Sequence, residues 1–279
     1  MAVLLATPAV ARAGTRTGLD ALLNGVAAAV VLVEVRGHGL IAVHDPAVAG
    51  RVPAPPGSTL KPFALAELLR SGKLSAVERF TCSGRLSVGG RSFNCSHPPV
   101  LSGLDLSSAL AYSCNCFMAH FAARFADGEL AMACERDGLV SRTGWMGPDE
   151  ATGRMERARG KESAQMQALG EDGVLVTAAG LAAGYRNLAL SAPAPVRDGL
   201  ECAVEFGTAQ LARVPGLSVA GKTGSVRTSA GARVAWFAGF APSRAPEVAA
   251  VVMLQGRSGG ADAAPVAARV FEAWHAGRL

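Results

Sequence analysis

The chain has 279 residues, enough for one substantial core or for a core with a small satellite lobe. Half of the residues are hydrophobic and 18% are charged, which excludes a disordered chain. The formal charge of +5 comes almost wholly from arginines scattered along the sequence without a dense basic run, so no nucleic-acid partner is expected.

Residues 1–13 carry a short apolar run that ends in small residues at Ala9, Ala11 and Ala13. This is the pattern of an export signal without its positively charged leader or, alternatively, of an apolar tail, and a periplasmic or cell-envelope location is expected. No stretch reaches the ~20 apolar residues of a membrane-spanning helix. Residues 14–279 are expected to form a single domain. Gly25 to His44 read as two strands joined at Arg36-Gly37-His38-Gly39. A proline-rich loop, Pro53 to Gly57, then leads to Ser58. Leu60, Phe63, Ala64, Leu65, Leu68 and Leu69 recur at helical spacing up to Gly72, and Pro62 fits only a first turn, so the spacing predicts a helix starting near Ser58.

Cys82 and Cys95 flank a glycine-rich, hairpin-like stretch. A disulfide between them would stabilise the fold by ~3 kcal/mol in an oxidising compartment. Cys95 with His97 hints at a metal ligand pair, but no C-x-x-C accompanies it and no metal is assigned. Cys114, Cys116, Cys134 and Cys202 read as small core residues. From Asp105 to about Leu190 the chain is helix-rich, with Asp105, Asn115 and Thr177 as candidate caps. The last third turns to strands at Leu217–Thr223, Val234–Ala241 and Val248–Leu254, followed by a helix over Ala264–His275. This order predicts an α+β fold. An antiparallel sheet built from both chain ends is flanked by helices, with an all-helical lobe at about residues 75–200 inserted between them.

Arginine is the default cation, and the only lysines are Lys61, Lys73, Lys161 and Lys222. Lysine can give up its proton when buried and arginine cannot, so each lysine is a chemical candidate. Ser58-Thr59-Leu60-Lys61 places a hydroxyl and an amine on one helical face, where a desolvated amine can act as the base for the serine. The same motif is equally the pattern of a capping serine beside a solvated lysine. Ser113-Cys114-Asn115 lies at a break between two helices, where Asn115 can also serve as a cap. Lys222-Thr223-Gly224-Ser225 puts a cation, two hydroxyls and a glycine on a strand, which suits a carboxylate but equally a solvated turn.

Together, S-x-x-K, S-x-N and K-T-G in this order resemble the penicillin-binding transpeptidases and their β-lactamase relatives. The resemblance covers nearly the whole chain and extends beyond the triplets. Pro56-Gly57-Ser58-Thr59-Leu60-Lys61-Pro62, Ser107 to Asn115, Gly170 to Thr177, and Ala220 to Ser225 followed by Trp236 to Pro242 are similar to segments of the class B enzymes. Ser225 stands where that family usually has threonine. The resemblance implies a serine D,D-transpeptidase or carboxypeptidase acting on peptidoglycan stem peptides and β-lactams. Ser58 would be the nucleophile, Lys61 the base, and Ser113 and Lys222 proton-handling partners. Asn115, Thr223, Gly224 and Ser225 would hold the substrate. No cofactor is implied, and a partner protein of cell-wall synthesis is expected in place of the class B pedestal, which has no counterpart in this sequence.

The alternatives are a class D-like β-lactamase, for which Tyr185-Arg186-Asn187 is a poor match to the family's Tyr-Gly-Asn, and a non-catalytic β-lactam sensor. Gly216 to Thr223 also fits G-x-x-x-x-G-K-[ST]. A nucleotide is not expected there, because Pro215 and the strand-like residues before Lys222 do not lead into a helix.

Overall fold

The computed structural model describes residues 15–99 and 103–279; the candidate signal at 1–13 lies outside them. The chain opens with α1 (Thr15–Leu22), β1 (Ala28–Glu34), β2 (Leu40–His44) and α2 (Pro46–Arg51). A 3₁₀ turn, Gly57–Leu60, runs directly into α3 (Lys61–Arg70). Next come the hairpin β3 (Arg85–Val88) and β4 (Arg91–Asn94), then α4 (Leu106–Ala111), α5 (Asn115–Ala122) and α6 (Glu129–Arg136). They are followed by β5 (Arg154–Met155), α7 (Gly160–Ala168), β6 (Val174–Leu175), α8 (Ala178–Ser191) and α9 (Ala194–Glu205). The chain closes with β7 (Ala220–Arg227), β8 (Arg233–Ala241), β9 (Val248–Gln255), a π turn at Gly259–Ala263 and α10 (Ala264–His275).

Five strands form one sheet in the order β2-β1-β9-β8-β7, every neighbour antiparallel. The chain ends meet in its middle, where Val31 pairs with Val251. Strands β1, β8 and β9 are apolar at nearly every position because both faces are covered. Their alternation sorts side chains into two cores. Val31, Val33, Trp236, Ala238 and Val251 join Phe63, Leu65 and Tyr185 on one side. Val30, Leu32, Phe237 and Val252 join Leu19, Val270 and Phe271 on the other. Thus α8 lies on one face of the sheet, and α1 with α10 on the other.

The expected α+β sheet from both chain ends is therefore present. The inserted region carries, besides its helices, the β3–β4 hairpin and the short β5–β6 pair. Helix α8, within the span expected for the lobe, packs directly against β9, β1 and β8 because its Ala, Gly and Leu residues are buried nearly all round. Strand β7 starts at Ala220 rather than Leu217, since Val214 and Leu217 close a separate turn around Pro215-Gly216. The cap of α5 is Cys114 rather than Asn115. The Cys82–Cys95 disulfide that the sequence left open is not formed, and all six cysteines are free. The hairpin ladder already closes that loop, with the Cys95 N–H donating to the Gly84 carbonyl at 2.9 Å, and the Cys95 sulfur points towards α5.

Candidate active site

Ser58 sits partly exposed in the 3₁₀ turn that starts α3. The turn is held from four sides. The Gly57 N–H donates to the Gly170 carbonyl at 3.0 Å, and the Thr59 hydroxyl donates to the Pro56 carbonyl at 2.7 Å. The buried Tyr185 hydroxyl donates to the Thr59 carbonyl, and the Trp236 indole to the Pro55 carbonyl, each at 2.9 Å. Gly57 is required here, since its φ is +55° and a Cβ would lie 2.5 Å from Val226 Cγ1.

One turn on, Lys61 is 1% exposed. Its Nζ donates to the Ser113 carbonyl at 2.8 Å, Ser113 Oγ at 3.2 Å and Asn115 Oδ1 at 2.6 Å. All three acceptors come from the second motif and none is Ser58, so the amine bridges α3 to the break between α4 and α5. That break exposes the Ser113 carbonyl and hydroxyl together because Ser113 adopts φ +59°, a left-handed conformation uncommon for serine. Asn115 is engaged at both ends of its amide: Oδ1 accepts from Lys61, while Nδ2 donates to the Asn94 carbonyl at 3.3 Å. The helix cap passes to the Cys114 sulfur, which accepts from the Phe117 N–H at 3.4 Å. Burial lowers the Lys61 pKa from 10.5 to about 8, against the opposing pull of the neighbouring thiols and of Glu171.

Lys222 and Thr223 lie on β7, the edge strand. Lys222 is wholly buried, and its Nζ donates to Thr208 Oγ1 at 3.3 Å and to the Thr223 carbonyl at 3.1 Å. Burial, and then the nearby charge of Lys61, push its pKa well below the usual lysine value. The Thr223 hydroxyl donates to Thr208 Oγ1 at 3.0 Å. Gly224 lets β7 run close beside the Ser58 turn, because a Cβ there would lie 2.6 Å from the Pro56 carbonyl oxygen. Ser225 is exposed, and its Oγ accepts from the Gly259 N–H at 2.9 Å.

The three motifs therefore converge. Lys61 joins Ser113 and Asn115 directly, and Gly57 and Gly224 bring β7 beside Ser58. Thr208 is a further member for which the sequence offered no signal, being a lone threonine in a loop. Its N–H donates to the Ala111 carbonyl at 3.1 Å, which ties Lys222 and Thr223 to the end of α4, two residues before Ser113. Gly170 is another: a Cβ there would meet the Gly57 carbonyl oxygen at 2.0 Å. Tyr185-Arg186-Asn187 stays out of the site, since Tyr185 bonds Thr59 and Asn187 Nδ2 donates to the Asp137 carbonyl at 3.0 Å. Lys222-Thr223 lies inside an antiparallel strand, not at a strand-to-helix junction, so the geometry of a phosphate-binding loop is not formed. A serine on a helical start, a buried amine with its pKa lowered to about 8 and a second serine beside that amine form a set suited to acyl transfer.

The family model of the penicillin binding protein transpeptidase domain matches residues 29–272. A segment of 58 residues is 45% identical to "Penicillin-binding protein 1A/1B" of Bacillus subtilis (strain 168), covering 17% of this chain and 6% of that relative. The matched segment is thus a small part of that relative's length. Among solved structures, that of Pseudomonas aeruginosa PBP2 in complex with WCK 5153 superposes with a TM-score of 0.79 at 20% identity, over 92% of this chain and 76% of the other. A peptidoglycan glycosyltransferase from Burkholderia ambifaria superposes with a TM-score of 0.80 at 20% identity, over 94% and 93%. At these identities the two structures show a shared fold.

Proposed function

The chain belongs to the penicillin binding protein transpeptidase domain family, and from that premise we propose that it is a serine D,D-transpeptidase or carboxypeptidase that forms an acyl-enzyme on Ser58. The observation that carries this reading is the Lys61 amine, buried, held by Ser113 and Asn115, and lowered to a pKa of about 8. As the free amine, Lys61 takes the Ser58 hydroxyl proton while Ser58 Oγ adds to the carbonyl of a D-Ala-D-Ala peptide or a β-lactam. The backbone N–H groups of Ser58 and Ser225 face the developing oxyanion, each such donor contributing ~3–4 kcal/mol. The proton passes through Ser113 to the leaving amine as the C–N bond breaks, with Lys222 tuning that transfer. Asn115 holds the substrate amide, and Thr223 and Ser225 hold the terminal carboxylate. The acyl group then passes to a peptidoglycan amine or to water.

The same reading puts the substrates in the cell envelope and expects a cell-wall synthesis protein as partner, with membership of the family as its support. No helix among the described residues is long and apolar enough to cross a membrane. The test is intact mass after exposure to benzylpenicillin. The parent gains one penicilloyl group and Ser58→Ala, with an unchanged circular dichroism spectrum, gains none. An equal adduct on Ser58→Ala overturns the assignment. The lifetime of the adduct and release of D-Ala from a stem-peptide analogue then separate the outcomes. Rapid turnover of nitrocefin without D-Ala release identifies a β-lactamase, and a trapped adduct without D-Ala release identifies a sensor.

A further inference from the structure

Beside the second motif, and unused by the acyl-transfer reading, lies a cluster of soft ligands. We propose that Cys82, Cys95, His97 and Cys114 bind a thiophilic divalent metal ion, with zinc the best match to the donor set. Their ligand atoms all lie within 4.8 Å of one another. The Cys95 and Cys114 sulfurs are 3.8 Å apart. A tetrahedral zinc with Zn–S bonds of ~2.3 Å sets its sulfurs ~3.8 Å apart. A disulfide would draw them in to ~2.05 Å.

Two further observations point to a ligand. The His97 Nδ1 lies 2.9 Å from the Pro98 carbonyl oxygen, and its Nε2 is buried with no hydrogen-bond partner. A proton held on Nδ1 by a backbone carbonyl leaves the Nε2 lone pair free, which is how metal-binding histidines are oriented. Each of the three sulfurs also receives a backbone N–H: Gly84 to Cys82 at 3.2 Å, Asn115 to Cys95 at 3.3 Å and Phe117 to Cys114 at 3.4 Å. Such donors complement the negative charge that a metal-bound sulfur carries.

The site has no C-x-x-C because the ligands come from separate elements. Cys82 and Cys95 flank the β3–β4 hairpin, His97 follows it, and Cys114 caps α5. Three thiolates and a neutral imidazole complete a four-coordinate structural site, closed to substrate. Cys116, with its sulfur 3.7 Å from that of Cys95 and near the Ser83 hydroxyl, is a neighbour outside the ligand set. Bound metal would fasten the hairpin to the Ser113–Asn115 break and keep the thiols reduced.

The full chain is purified under reducing conditions without chelator, and its metal is measured by mass spectrometry against protein concentration. About one zinc per chain is expected, exchangeable for Co²⁺ with thiolate-to-cobalt charge-transfer and tetrahedral ligand-field bands. Cys95→Ser and His97→Ala, refolded in zinc, are expected to retain under about a tenth of it after gel filtration, and Cys116→Ser to retain all of it. A parent chain that takes up neither zinc nor cobalt overturns the proposal, as does full retention by Cys95→Ser and His97→Ala. Loss in a folded Cys116→Ser overturns the ligand assignment. A second measurement needs no variant: iodoacetamide labelling of the native parent slows at least tenfold with zinc and recovers on chelation, whereas equal labelling in both states overturns the site. None of these readouts depends on penicillin acylation of Ser58.

Discussion

Lys61 must be both buried and deprotonated to serve Ser58, and the two requirements have one cause. Burial disfavours its ammonium form and brings its pKa down from 10.5 to about 8. The folded-state value is depressed, so holding Lys61 charged in the core opposes folding below pH ~8, and that penalty fades as pH rises towards the unfolded-state value. For chemistry the sign is favourable. The fraction of free amine rises about tenfold per pH unit below pH ~8 and levels off above it. The second-order rate of penicillin acylation is expected to follow that curve, and a flat profile between about pH 6 and 9 would remove Lys61 as the base. Lys61→Arg is expected to abolish acylation while remaining folded, because guanidinium does not deprotonate. Thr208 is the positioning residue of the pair, accepting from both Lys222 and Thr223. Thr208→Val is expected to slow acylation about tenfold and to cost about 1 kcal/mol of stability. Thr208→Ser, which keeps the hydroxyl, is expected to restore the rate. Equal rates in Thr208→Val and the parent would leave Thr208 with packing alone.

Strand β7 and the Ser58 turn approach so closely that glycine is required on both sides. A Cβ at Gly224 would strike the Pro56 carbonyl, and one at Gly57 would strike Val226 of β7. Gly224→Ala is expected to push the strand from the turn by a few tenths of an ångström or more, slowing acylation about a hundredfold. Its stability cost is expected to be smaller, about 1–3 kcal/mol, since β7 is an edge strand. Stopped-flow acylation and urea melts separate these effects; a loss of stability without a loss of rate would show that the spacing does not matter. The elements themselves were largely legible. Short apolar runs between turn residues marked the sheet strands, and the caps at Asp105 and Thr177 stand where the sequence put them. The partners of Lys61 were not legible, because the helical spacing points to Ser58 while the bonds go to Ser113 and Asn115, more than fifty positions away. Thr208 and Gly170 escaped for the same reason: their roles arise only from residues distant in sequence. The hairpin around Cys82 and Cys95 was visible, but its ladder and its facing on α5, not a covalent bond, close the loop.

In the whole molecule, β1 pairs with β9 at the centre of the sheet, so residues separated by most of the chain hold each other. Strand β7, which carries Lys222 and Thr223, is two strands out from β9, through β8. The inserted region is bound to the same core, since Phe117, Phe121 and Leu130 share one apolar cluster with Trp236 and Val251. A separate lobe would need its own core, and this continuity argues that the chain unfolds as one unit. The three tryptophans report on different places: Trp236 in the sheet, Trp145 in the insert, and Trp274 on α10. Single-tryptophan variants, each melted in urea, are expected to share one midpoint, and penicillin labelling is expected to disappear at that same midpoint. Long-range pairing of this kind also slows folding, so refolding is expected to take milliseconds to seconds or longer. An earlier transition for Trp145, with labelling lost alongside it while Trp236 stays native, would show that the insert unfolds first. The chain would then have to be treated as two cooperative units meeting at Lys61, with the active site no more stable than the weaker of them.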